Sequence, residues 1–140
     1  MNERKGICSR KTNESDVSVS INLDGSGLSE INTGNGMLDH LLAQLAKHGL
    51  FDIVLETKGD WLQTGWHHTV EDTAYVLAEA INKSIGEKRG INRYGFFYIT
   101  MDESLSRAVI DFSGRPELVW KVNLGLKKIG EMDTELFQEF

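Results

Sequence analysis

Residues 16–23, "DVSVSINL", alternate strictly between apolar and polar side chains. This period of two is typical of a strand with one buried face, so the chain needs a second layer to cover that face. An Asp-Gly pair follows at residues 24–25 and predicts a hairpin turn into "LSEINT". The apolar face consists of Val17, Val19, Ile21 and Leu23.

Two helical patterns supply the second layer. Residues 37–48 carry leucines three and four positions apart and are followed by Gly49, which predicts an amphipathic helix and its end. Residues 66–86 predict a second helix, and "LFDIVLETKGD" predicts a strand between the two. We therefore expect an α+β domain with helices on one face of a sheet. The core stripe predicted for the second helix is Val70, Ala74, Leu77, Ala78, Ile81 and Ile85.

The pattern begins again in the last third of the chain. "RYGFFYITMDES", "LSRAVIDFSG" and "ELVWKVNLG" predict strands, and "DTELFQEF" predicts a helix that opens with a capping signal. This arrangement suggests two half-domains, a first at residues 1–90 and the start of a second at residues 91–140. We expect the second half to be incomplete, because its helix has no stop residue.

Charge and composition exclude several classes of protein. The net charge is −6 and no Lys/Arg cluster is longer than a pair, which argues against a nucleic-acid partner. There is no apolar run near the roughly 20 residues of a membrane span, and the polar N-terminus lacks the apolar part of a signal peptide. The single cysteine agrees with a reducing compartment. We expect a cytoplasmic protein with no membrane partner.

The stretch "GWHHTVEDT" combines two adjacent histidines with a nearby carboxylate. On a helix, His67 and Glu71 are one turn apart and His68 lies three residues before Glu71, so both imidazoles can approach the carboxylate. These groups are suitable ligands for Zn²⁺, Mn²⁺ or Fe²⁺. The helical wheel places His68 further toward the polar side than His67. The simpler alternative is that the pair is only the polar surface of a helix start.

Other polar residues also recur at suggestive positions. His40, Gln44 and His48 follow one stripe of the first helix, and could approach the His67 region if the two helices lie side by side. Arg93 and Arg115 each stand near glycines, which suits phosphate or carboxylate recognition, although either could be an ordinary surface charge. No metalloprotease His-Glu-x-x-His order and no Gly-x-Ser-x-Gly elbow is present.

Five blocks together resemble a known family. "TGNGMLDHLLAQLAKHGLFD", "HHTVEDT", "EKRGINRYG", "MDESLSRAVIDFSGRP" and "MDTELFQEF" are similar, in order and spacing, to the blocks of imidazoleglycerol-phosphate dehydratases, enzymes of histidine biosynthesis. The resemblance runs across nearly all of the chain. It implies duplicated half-domains of the ribosomal protein S5 domain 2-like fold, each a mixed or antiparallel sheet with two helices. It also implies a lyase that removes water from imidazole glycerol phosphate to give imidazole acetol phosphate.

The resemblance further implies roles for individual residues. It implies two Mn²⁺ ions per site, although other divalent ions are compatible, with His40, His67, His68 and Glu71 as ligands. Substrate contacts are implied for those three histidines and for Glu14, Gln44, His48, Arg93 and Arg115, the two arginines holding the phosphate. Because no carbonyl stabilises the carbanion, the substrate's imidazole must accept the electrons. Glu14 and Glu71 are the candidates to move the carbon-bound proton.

The sequence departs from the family pattern in two places. Trp61 and Trp66 occupy a segment that is acidic in the family, so we expect an acidic partner that would orient an imidazole to be missing there. The chain also ends at Phe140, before a second "HHxxE" block and a phosphate-binding lysine. We expect this chain alone to be inactive, and to assemble less well than the family's homo-oligomers, trimers that join into 24-subunit shells. A non-catalytic paralogue, acting as a metal-binding or assembly module, is the alternative, and a metal-storage protein a weaker one.

Overall fold

A computed structural model describes residues 3–140 of the chain. The described residues divide into two compact units. The first comprises the chain up to Gly86 together with residues 122–140, and the second comprises residues 87–121. The division into halves at residue 90 stays a prediction.

A four-stranded sheet forms the base of the first unit. Its strands are β1 (Lys5–Lys11), β2 (Ser15–Asn22), β3 (Ser29–Asn32) and β4 (Asp52–Gly59), in the order β1-β2-β4-β3. Strand β2 is antiparallel to both β1 and β4, whereas β3 is parallel to β4. The predicted strands β2 and β4 are confirmed.

The predicted hairpin between β2 and β3 is wrong, because β4 lies between them. The carboxylate of Asp52 accepts hydrogen bonds from the backbone N–H groups of Ser26 and Leu28, at 2.8 and 3.0 Å. These bonds hold the connecting loop against the start of β4, so the chain passes over that strand instead of turning back along β2. The Asp-Gly pair marks a turn, but the partner that the turn selects is set by a residue about 27 positions away.

Helices cover one face of this sheet, as predicted. Helix α1 spans Gly36–Gly49, α2 is a single turn at Trp61–Thr64, and α3 spans His67–Ile85. The alternating side chains of β2 that were assigned to the buried face are buried or half-buried, and those of the opposite face are mostly exposed. The α+β architecture is therefore confirmed. The core between the layers includes Val17, Val19, Ile21, Leu38, Leu42, Ile53, Leu55, Val70, Val76 and Leu77.

The buried face of α3 differs from the predicted stripe. Ala78 is exposed, whereas Val76 and Ala80 are buried. Polar side chains fill much of the same face, and the hydroxyl groups of Thr57 and Thr73 lie 2.8 Å apart across the helix–sheet boundary. The predicted stripe was wrong because it was chosen from apolar residues alone, whereas these polar side chains are buried together with hydrogen-bonding partners.

Strand β1 was not predicted from the sequence. Only Gly6 of its seven residues is buried, so the strand has no apolar alternation that would reveal it.

The second unit contains a hairpin of β5 (Tyr94–Met101) and β6 (Ser104–Asp111). Both strands were predicted. Asp102, in the turn, has a left-handed backbone with φ of 50°. Every residue of the two strands is exposed in the described chain, including large apolar side chains on both faces.

The remaining elements return to the first unit. They are β7 (Lys128–Ile129), β8 (Met132–Asp133) and α4 (Leu136–Glu139). The third strand predicted in this region, "ELVWKVNLG", is wrong, because residues 117–125 form no helix or strand and pair with no neighbour in residues 3–140. The predicted final helix is present but short, and its N-cap residue, Glu135, makes no side-chain capping bond. Met132 and Leu136 nevertheless enter the core.

Candidate active site

The first turns of α3 bring a histidine and a carboxylate together. His67 Nε2 and Glu71 Oε2 lie 3.7 Å apart, and both side chains are about half exposed. The rings of His67 and His68 have centroids 5.5 Å apart and planes inclined by 65°, so they face different directions. An incoming ion can therefore reach the His67–Glu71 pair from solvent.

His68 has its own acidic partner. Its Nδ1 lies 3.1 Å from Asp60 Oδ2 and 3.3 Å from Thr64 Oγ1. The expectation that no acid orients an imidazole here is wrong, because α2 folds the chain back and brings Asp60 to His68. The helical-wheel placement of His68 is also wrong: its side chain is 35% exposed, against 49% for His67. A wheel considers α3 alone and omits the covering turn.

Local hydrogen bonds keep Asp60 in its ionised form. Partial burial acts to raise the pKa of this carboxyl group, but the hydrogen bonds from Thr64 and His68 outweigh it, and the pKa lies below its ordinary value. An ionised carboxylate can only accept hydrogen bonds. Asp60 is thus suited to accept a hydrogen bond from an N–H group of the His68 imidazole.

Two tryptophans surround this turn. Trp61 opens α2 and Trp66 immediately precedes α3, and their rings stack with centroids 4.9 Å apart and planes inclined by 6°. Trp66 is 8% exposed and belongs to the core cluster. Such a pair adds about 0.5–1.5 kcal/mol beyond the burial of its area. The departure from the acidic family pattern therefore builds a packed turn beside the histidines.

A second network ties the start of β2 to α3. Asp72 accepts a short hydrogen bond from Ser15 Oγ and a charged one from Arg10 Nη1 at 2.6 Å. The Arg10 guanidinium also lies over the ring of Tyr75, 4.9 Å from its centroid. Glu14 and Glu71, the two predicted acid/base residues, directly precede Ser15 and Asp72, so the Ser15–Asp72 bond restrains the two backbone segments that carry them. Glu14 itself is exposed.

Helix α1 presents the predicted polar stripe. His40 is exposed, and Gln44 Oε1 lies 3.1 Å from His48 Nε2. The N-cap residue of the helix is Asn35, whose side chain accepts hydrogen bonds from the backbone N–H groups of Met37 and Leu38. This capping bond explains why "TGNG" precedes the helix. The substrate and metal roles of His40, Gln44 and His48 stay predictions.

Within residues 3–140, no group of three or more His, Cys, Asp or Glu side chains lies close enough together to hold a metal ion. The donors fit such an ion chemically, because His67 and Glu71 form an accessible nitrogen–oxygen pair and the Nδ1 of His68 already has a carboxylate partner. The ligand set of His40, His67, His68 and Glu71 therefore stays a prediction.

The two arginines of the second unit are in different states. Arg93 forms a two-pronged ion pair with Asp111, at 2.6 and 3.0 Å, and this pairing lowers the pKa of Asp111. Arg115 makes no side-chain hydrogen bond to any of the described residues, although its charge also lowers the pKa of Asp111. Arg115 is thus the more available of the two for an anion.

Sequence reasoning missed Asp60, Ser15 and Asp72. Asp72 belongs to the "HHTVEDT" block, but attention went to the histidines and Glu71, and for Ser15 and Asp60 the only available signal was a hydroxyl or a charge. Asp60 stands seven residues before the histidine pair, and the intervening "WLQTGW" gave no sign of a helical turn. The Ser15–Asp72 contact joins segments 57 residues apart, and the Asp60–His68 contact, although it spans only eight residues, depends on the turn of α2 between them.

Comparisons with known proteins all point to one family. A family model described as imidazoleglycerol-phosphate dehydratase matches residues 33–140. Two proteins of that name are 53% identical over 137 residues, from Sinorhizobium fredii, and 51% identical over 140 residues, from Agrobacterium fabrum. The chain is matched over 98% and 100% of its length and spans 67% and 70% of theirs.

Solved structures of the same description share the fold. The protein from Staphylococcus aureus superposes with a TM-score of 0.82 at 36% identity, covering 96% of this chain and 73% of that one. The protein from Pyrococcus furiosus gives 0.78 at 28% identity, covering 94% and 68%.

The fold and the matched sequence define a hydro-lyase of amino-acid biosynthesis. More specifically, the chain belongs to the imidazoleglycerol-phosphate dehydratase family of histidine biosynthesis. No helix among residues 3–140 has the length and apolar character needed to cross a bilayer.

Proposed function

We propose that this chain takes part in the dehydration of imidazole glycerol phosphate to imidazole acetol phosphate, with Mn²⁺ bound through His40, His67, His68 and Glu71. The observation that carries the proposal is the His67–Glu71 pair on α3, 3.7 Å apart and open to solvent, in a chain of this family. When bound, the metal supplies Lewis acidity to the reaction.

The chain's own acids suit the proton transfers of this reaction. Removing water breaks one C–H bond and one C–O bond, so a base must take the carbon-bound proton and the departing hydroxyl must gain one. Glu14 and Glu71 are the proposed groups, because both are exposed and the buried Ser15–Asp72 bond holds their backbones in place. His48 and Gln44, already paired with each other, are proposed substrate contacts.

The activity is best tested in a chimera. In this chimera the 140 residues replace the matching part of the Agrobacterium fabrum relative, of which they span 70%. We expect Mn²⁺-dependent dehydration that is lost on chelation and reduced at least 100-fold by Glu71→Gln. Glu79→Gln, on the same helix, is the matched control. A chimera that folds and binds Mn²⁺ but is inactive, beside an active parent protein, would support the non-catalytic alternative.

The proposed phosphate contact is tested by Arg115→Ala in the same chimera. Loss of a charged hydrogen bond costs about 1.5–3 kcal/mol, so KM should rise roughly 10- to 150-fold. Arg89→Ala is the control, because Arg89 pairs only with the neighbouring Glu87 on an exposed surface. An unchanged KM would contradict the proposed phosphate contact of Arg115. A chimera that binds Mn²⁺ with the same affinity with and without Arg115 but never dehydrates the substrate would favour a metal-storage role, which needs no phosphate contact.

A further inference from the structure

Asp60 occupies a capping position but does not cap. It precedes α2, and its backbone carbonyl accepts the N–H of Gln63 at 2.8 Å, yet its side chain makes no capping bond. Aspartate at this position usually accepts hydrogen bonds from the first helical N–H groups. Here the carboxylate bonds to His68 Nδ1 at 3.1 Å instead. The carboxylate therefore accepts hydrogen bonds from the imidazole and from the hydroxyl of Thr64, which itself lies 3.3 Å from His68 Nδ1, and not from the helix backbone.

The turn that carries Asp60 is held at both ends. Trp61, next to Asp60, stacks on Trp66, and Trp66 is anchored in the core at 8% exposure. The Asp60 side chain is itself only 19% exposed. A hydrogen bond in such a partly desolvated, fixed position directs the ring more strongly than one between mobile surface groups.

We infer that Asp60 is a positioning residue that holds His68 in the tautomer protonated on Nδ1. Because an ionised carboxylate only accepts hydrogen bonds, the Nδ1 of the neutral ring must carry the proton. The lone pair then lies on Nε2, which makes no hydrogen bond to any of residues 3–140. Nε2 is thereby prepared to coordinate an ion, and this consequence rests on the proposed function. The tautomer itself does not.

The tautomer can be read directly by nitrogen-15 NMR of the imidazole rings. The chain contains four histidines, so the ring signals are few, and His68→Gln assigns the one of interest. Metal-free wild-type protein should show His68 protonated on Nδ1. Asp60→Ala should move it toward the Nε2-protonated form that a histidine side chain favours in water. Asp60→Asn, whose amide can accept or donate, should give a mixture of the two.

Gln63→Ala is the matched control, because it alters the same turn without touching His68, and it should leave the tautomer unchanged. A His68 ring protonated on Nε2 in the wild type would overturn the inference, as would an Nδ1-protonated ring in both Asp60 variants. If Asp60→Ala fails to fold, Asp60→Asn decides, since an unaltered tautomer there contradicts a directing role for the carboxylate.

Mn²⁺ affinity separates this inference from the proposed function. The dissociation constant for Mn²⁺ is obtained by titration, with the free ion measured by electron paramagnetic resonance. We expect it to be about 10- to 100-fold higher for Asp60→Ala than for wild type. Wild-type protein with the Nδ1 tautomer but no Mn²⁺ binding would contradict the proposed metal site and leave the positioning role intact. Equal Mn²⁺ affinity in wild type and variant would contradict the step from tautomer to ligand.

Discussion

Asp72 shows how much one side chain can connect. It is almost buried, and it joins Ser15 at the start of β2 to Arg10 on β1. "HHTVEDT" drew attention to its histidines and to Glu71, and nothing in the sequence distinguishes Asp72 from an exposed helix acid. Asp72 differs from an exposed acid in being buried with two hydrogen-bonding partners, and this environment exists only after the helix has packed on the sheet.

Asp72→Ala should therefore lower the free energy of unfolding by about 1–3 kcal/mol, because Ser15 and Arg10 lose their partner. Urea denaturation followed by far-UV circular dichroism measures this difference. Asp16→Ala is the control: Asp16 pairs with Lys11 at 2.9 Å on an exposed surface, and such a pair contributes at most about 1 kcal/mol. Equal losses in the two variants would contradict the distinction between them.

At the scale of elements, local sequence patterns predicted most helices and strands but not always which strands pair with each other. The two long helices end within about one residue of their predicted bounds, because spacing of leucines and flanking glycines is local information. Alternation likewise located β2, β4, β5 and β6. The predicted hairpin between β2 and β3 was wrong because hydrogen bonds to Asp52 hold the connecting loop against β4. Helix α2 was not predicted because its single turn is stabilised by the stacking of Trp61 on Trp66.

The loop bonds of Asp52 predict a pH dependence of stability. The backbone N–H groups of Ser26 and Leu28 lower the pKa of its carboxyl group. A pKa depressed by folding stabilises the native state above the unfolded pKa of about 4 and loses that effect as the pH falls through the native value. Asp52→Asn should thus be less stable than wild type at pH 7.

The difference between Asp52→Asn and wild type should shrink as the pH falls below about 4. Chemical denaturation at pH 7 and in acid, at equal ionic strength, measures it. Glu56→Gln, an exposed change on the same strand, should shift stability by no more than about 0.5 kcal/mol. A difference for Asp52→Asn that is constant with pH would show that its ionisation is irrelevant to the loop.

At the scale of the whole molecule, the described chain leaves much apolar surface uncovered. Near the end of the chain, Phe137 packs against the core, whereas Phe140 is 42% exposed. Apolar side chains on β5 and β6 are more exposed, including Phe96 at 73% and Phe97 at 69%. Apolar side chains alternate onto both faces of these strands, and the sequence pattern alone does not show whether either face is covered.

We therefore predict that the chain self-associates at micromolar concentration, because contiguous apolar surface of this kind is unfavourable in water. Light scattering across a dilution series measures the association. Phe97→Ser should weaken it, whereas Leu28→Ser, with the same 69% exposure in the wild-type chain but no apolar hairpin around it, should not. A monodisperse monomer at all concentrations would contradict the prediction.

The stacked indoles of Trp61 and Trp66 also give the protein an intrinsic spectroscopic probe. Two aromatic chromophores 4.9 Å apart and nearly parallel can couple their electronic transitions, and the coupled pair contributes a circular dichroism signal that isolated indoles lack. The third tryptophan, Trp120, lies elsewhere in the chain and has no stacking partner in residues 3–140. An unlabelled sample thus reports whether the segment that carries Asp60 is ordered, through a band that any movement of the two rings would alter.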